Sequence, residues 1–67
     1  MSKQNVLMNE KFYALDEETK LAITNARLLM ECDSRFRGLE QNVVVSDLWS
    51  NMTNSKKRRL LKKHGVL

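Results

Sequence analysis

Sixty-seven residues with no proline, two glycines and one cysteine leave room for one small domain and nothing larger. A chain of this size buries only about 60% of its unfolded surface, so its core is marginal unless a staple or partner completes it. Cys32 has no second thiol for an intrachain disulfide and, beside the single His64, no zinc-type ligand set.

The formal charge of +4 is unevenly placed. Residues 1–34 hold four basic and six acidic side chains, a net −2, whereas residues 35–67 hold eight basic and two acidic, a net +6. Such polarity points to an anionic partner. With 42% hydrophobic and 30% charged residues, the composition suits a compact helical domain rather than disorder. The first fifteen residues lack the apolar core of a secretory signal. No apolar run approaches the ~20 residues of a transmembrane span. The expected location is cytoplasmic, a reducing compartment in keeping with a lone thiol.

Residues 1–8 read as a flexible polar arm with a small apolar tip, Val6-Leu7-Met8. Asn9 can cap a helical turn through Phe12, Tyr13 and Leu15, with the two aromatics expected in the core.

Asp16-Glu17-Glu18-Thr19 is a helix start, with Asp16 as N-cap and two glutamates where the helix dipole favours them. The helix predicted from there runs near residues 17–37. Leu21, Ala22, Leu28, Leu29, Cys32 and Phe36 fall near one face, and Lys20, Thr24, Arg27 and Glu31 on the other. Asn25 interrupts the apolar face. The helix either frays near Asp33-Ser34 or continues to Arg37, with Gly38 as its C′ residue. Cys32 reads as a small buried hydrophobe.

Residues 39–52 carry two signals. Val43-Val44-Val45 favours a strand by β-branching. Val45, Leu48, Trp49 and Met52 repeat with helical spacing, and a strand this short has nothing to pair with. The predicted element is a helix near 40–52, starting at Glu40 or, if the valines stay extended, at Ser46. Trp49 is expected at the core centre, its indole N–H needing an acceptor.

The last helix, near 54–64, is capped by Thr53 or Asn54. His64 as C-cap makes Leu61 and Val66 the apolar pair of a Schellman turn at Gly65. At about 100° per residue, Leu60 and Leu61 fall on one side and Arg58, Arg59, Lys62 and Lys63 on the opposite one. Lys57 lies on the apolar side, where its stem can cover hydrophobic surface while its ammonium reaches water. Arg58–Lys62 and Arg59–Lys63 are like-charge pairs one turn apart, each costing the helix about 0.2–0.5 kcal/mol. A purely solvated face would also account for these cations.

The predicted architecture is therefore an all-α single domain of about three helices, residues 9–67 behind the arm, with a basic C-terminal helix. No catalytic constellation, metal set, cofactor motif or glycine-rich phosphate loop is present, so the expectation is a non-enzymatic protein without a small-molecule substrate. A helix-turn-helix register centred on Gly38 puts Ser34 and Asp47 at inward positions that call for small apolar side chains, and the motif is not assigned. In type rather than in motif, such a short charge-polarised helical chain resembles the small accessory proteins that phages and plasmids encode.

Two functions follow. One is a regulatory protein that binds nucleic acid, DNA or RNA, through Lys56, Lys57, Arg58, Arg59, Lys62 and Lys63, with Arg35 and Arg37 as candidates for additional contacts. The other is a protein-interaction module, an inhibitor or adaptor, that docks the same helix on an acidic protein surface. A second copy of the chain is a further candidate partner.

Overall fold

The structure is a computed structural model that describes residues 3–67, with side chains from Val6 onward. Among these residues the chain forms five α-helices, more than the three expected: α1 (Lys3–Tyr13), α2 (Glu17–Thr24), α3 (Ala26–Cys32), α4 (Gln41–Ser50) and α5 (Asn54–Lys63). A 3-10 turn, Ser34–Phe36, joins α3 to α4. No described segment is a strand.

The segment expected as a loose arm is helical from Lys3 onward, and its Met8 is buried; residues 1 and 2 lie outside the described residues. Asn9 sits inside α1 and does not cap it. Of the aromatic pair, Phe12 is fully buried while Tyr13 is half exposed, its ring edge-on to Phe12 at 5.1 Å.

The long helix predicted over 17–37 is broken twice. Asn25 takes the left-handed conformation (φ 59°, ψ 32°), ending α2 and starting α3. Asparagine tolerates this region better than other residues with a Cβ. The break resets the helical phase. After it Ala26 is buried, and Leu28 and Cys32, expected on the buried face, are exposed; before it, within α2, Ile23 and Thr24 turn inward and Ala22, also expected on the buried face, is exposed. Thr24 is accommodated because its hydroxyl donates to the Lys20 carbonyl at 2.9 Å. The second break falls at Asp33, the earlier of the two expected helix ends; its carboxylate accepts from the Arg35 amide at 3.0 Å and caps the 3-10 turn. Gly38 does have positive φ (80°), but it follows this turn instead of closing a helix.

The three valines are helical. Val44 and Val45 are buried where α4 packs against α2 and α3, and that burial outweighs their strand preference. Glu40 stands at the N-cap. Gln41 also reaches α2, donating to Glu17 Oε2 at 3.2 Å.

The predicted end of α5 is realised in full. The Val66 amide donates to the Leu61 carbonyl at 2.8 Å and the Gly65 amide to the Lys62 carbonyl at 3.1 Å, with Gly65 at φ 76°. These are the two bonds of a Schellman turn. At the other end, Thr53 Oγ1 accepts from the Lys56 amide at 3.2 Å.

Trp49, Phe12, Leu61 and Val44 form the fully buried centre. The Trp49 and Phe12 rings stack at 4.0 Å, only 7° from parallel. That stack ties α1 to α4, and α5 lies against α1. No helix among the described residues is long and apolar enough to cross a membrane.

Candidate functional site

Helix α5 holds six cations and no acid in ten residues. Lys56, Arg58, Arg59, Lys62 and Lys63 are exposed. Lys57 is not: it retains 5% of its surface, and its ammonium lies 5.1 Å from the centre of the Trp49 ring. The Lys57 Nζ also donates to Asn9 Oδ1 at 3.5 Å. The expectation that its ammonium reaches water is corrected. The stem follows the apolar side as predicted, but the head is held over the indole face, where the ring quadrupole attracts it. Lys57 therefore belongs to the junction of α1, α4 and α5, and five cations remain on the outer face.

That face is fixed at several points. Leu61 is fully buried and Leu60 partly so, Val66 packs against the core, and both helix ends are capped. Among the described residues no carboxylate lies within ion-pair distance of Lys56, Arg59, Lys62 or Lys63. The ion pairs present elsewhere are Lys20–Glu17 at 3.3 Å, Arg27–Glu18 at 2.6 Å and Arg35–Asp33 at 2.7 Å.

Arg35 and Arg37 lie around the 3-10 turn, remote in sequence from α5. The Arg35 guanidinium grips both oxygens of Asp33, Nε at 3.1 and 3.2 Å and Nη2 at 2.7 Å. This pairing, together with the Arg35 amide, holds the Asp33 carboxyl below its ordinary range and raises the Arg35 guanidinium. Arg35 also lies 5.4 Å from the centre of the Phe36 ring. Arg37 donates to the Glu31 carbonyl at 3.4 Å. Both arginines thus have local structural partners, and the structure does not bring them into the α5 cluster.

An open groove of about 440 Å³ runs beside the cations, lined by Met8, Asn54, Ser55, Arg58, Arg59 and Lys62. A second hollow of about 160 Å³ adjoins it through Met8 and Arg58, and is completed by Leu7, Lys11 and Leu67. Sequence reasoning missed the α1 side of this groove. Residues 7–11 and 54–67 are far apart in the chain, and no local signal announces that α1 lies against α5.

Among the described residues no group of three or more His, Cys, Asp or Glu is arranged to hold a metal ion. No protein family matches the chain, and comparison with curated proteins and with solved structures finds no significant match.

Proposed function

We propose that this is a small non-enzymatic regulatory protein that binds nucleic acid through the outer face of α5. The observation that supports this reading is the set Lys56, Arg58, Arg59, Lys62 and Lys63, exposed together on one acid-free, doubly capped helix. Its like-charge pairs Arg58–Lys62 and Arg59–Lys63 work against helix stability. A polyanion would relieve that repulsion. Phosphates in a row accept from lysine ammonium groups and from arginine forks, and each neutralised phosphate releases condensed counterions. Because Leu61 and Val66 anchor the helix and its ends are closed, little ordering remains for the binding step.

The test is a salt titration of the purified chain against duplex DNA and single-stranded RNA, read by fluorescence anisotropy. Contact with four or five phosphates is expected to give a log–log slope against salt concentration of about −4 on duplex DNA and about −3 on single-stranded RNA. Absence of binding to either polymer at low salt would sink the proposal.

A further inference from the structure

We infer that the groove between α1 and α5 is a docking site for a short acidic peptide segment that carries a bulky apolar side chain. The groove goes beyond the phosphate face described above, because Leu7, Met8 and Lys11 of α1 form one of its walls. Met8, 5% exposed, lies at the join of its two hollows. Leu7 and Leu67 border the smaller hollow and remain 52% and 46% exposed, large apolar side chains that the fold leaves uncovered. Lys11, one turn after Leu7 on α1, stands with Arg58 at the same hollow, and Arg59 and Lys62 continue the cationic lining along α5. No acidic residue lines either hollow.

An occupant must match both features. Apolar floor and cationic rim call for an apolar anchor flanked by carboxylates, the usual division between buried anchor and charged rim in peptide grooves. Charge complementarity then sets the register of the segment and speeds its encounter with the groove. A nucleic acid fits this place poorly. Phosphates gain nothing from Leu7, Met8 and Leu67, and no aromatic side chain lines the hollows to stack a base. A membrane surface fits poorly as well, since the apolar side chains line a concave space instead of forming a projecting face.

Occupancy has a consequence for the first site. Arg58, Arg59 and Lys62 belong both to the groove and to the α5 face, so a bound acidic segment would cover three of the five exposed cations. Peptide and nucleic acid should therefore compete.

The test starts from a displayed library of random short peptides selected on the full chain. Enriched sequences should place Asp or Glu around a Leu, Ile, Met or Phe. The best of them, synthesised and labelled, is then titrated with the wild type, with the double variant Leu7→Ser/Leu67→Ser and with Lys11→Glu. Both variants alter exposed positions, and circular dichroism checks that each remains folded. Each is expected to weaken the peptide by about tenfold, the size of a modest hot spot. The serine variant should hold duplex DNA as the wild type does. Unlabelled peptide should displace the duplex from the wild type. No enrichment of acidic–apolar sequences, or an affinity unchanged in both variants, overturns the inference. Duplex binding without peptide selection defeats the groove alone; peptide binding without duplex binding defeats the nucleic-acid reading alone.

Discussion

The indole N–H of Trp49 donates to Asn9 Oδ1 at 2.8 Å, joining α4 to α1 across forty residues of chain. The same oxygen accepts from the Lys57 ammonium at 3.5 Å, so one amide serves donors from two other helices. An indole N–H inside a core needs such an acceptor. Asn9→Leu fills similar space but strands both donors. It is expected to cost about 1–3 kcal/mol in urea denaturation. The indole emission of the folded wild type should be that of an apolar setting, shifting to longer wavelength on unfolding. An unchanged midpoint in Asn9→Leu would show that the bond contributes nothing.

What the sequence disclosed, and what it hid, follows from the range of each signal. The Schellman turn at Gly65 is written within a few residues and is present as read, and of the two local cap candidates, Thr53 and Asn54, the structure uses Thr53. The centrality of Trp49 was equally legible, because size and helical spacing agree there. Cys32 and Leu28 were misplaced by a single cause: one left-handed residue at Asn25 shifts the phase of everything after it. The break showed in the sequence only as a polar gap in an apolar stripe. At the candidate site, the outward cations follow from helical periodicity alone. The hold of Asn9 on the Lys57 ammonium and the α1 wall of the groove depend on contacts over more than forty residues. Nothing local carries that information.

Asn25 supplies a second prediction. Its left-handed backbone is strained for any residue with a Cβ, by about 1–2 kcal/mol, and asparagine softens that cost. Asn25→Ala should therefore destabilise the fold by about 1–2 kcal/mol. Asn25→Gly should change stability by less than about 1 kcal/mol, because relief of strain opposes the greater freedom of glycine in the unfolded chain. Thermal melts of the two variants separate these outcomes. A stabilised alanine variant would mean that α2 and α3 prefer to fuse into one straight helix.

The Asp33–Arg35 pair gives a pH signature. The Arg35 side chain, and then its amide, lower the Asp33 carboxyl below its ordinary value. A folded-state value below the unfolded one means that the charged form stabilises the fold. That contribution is present above the unfolded value near 4 and is lost as pH falls through the lower folded value. The stability gap between wild type and Asp33→Asn should therefore stay constant from neutral pH to about 5 and close on further acidification. Denaturation curves across that range, with the carboxyl titrated by NMR, check both sign and window. A gap that widens on acidification would contradict the assignment.

The cations of α5 divide into one that holds the fold and others that face outward, and substitution should separate them. Lys57→Ala removes the ammonium from the Trp49 ring and the stem from the core edge. The expected loss is about 1–2 kcal/mol, with a lowered melting temperature and nearly unchanged duplex affinity. Changing Arg58, Arg59, Lys62 and Lys63 together to glutamine removes two repulsive pairs worth about 0.2–0.5 kcal/mol each, so stability should hold or rise slightly. The same variant should lose most of its affinity for DNA and flatten the salt slope from about −4 toward −1, since Lys56 alone of the exposed set remains. Were the glutamine variant to unfold, the four cations would be structural partners of the acidic first half of the chain. Were it to stay folded and bind as before, the face would be solvated surface only. The proposed role requires the remaining outcome, an intact fold with binding lost.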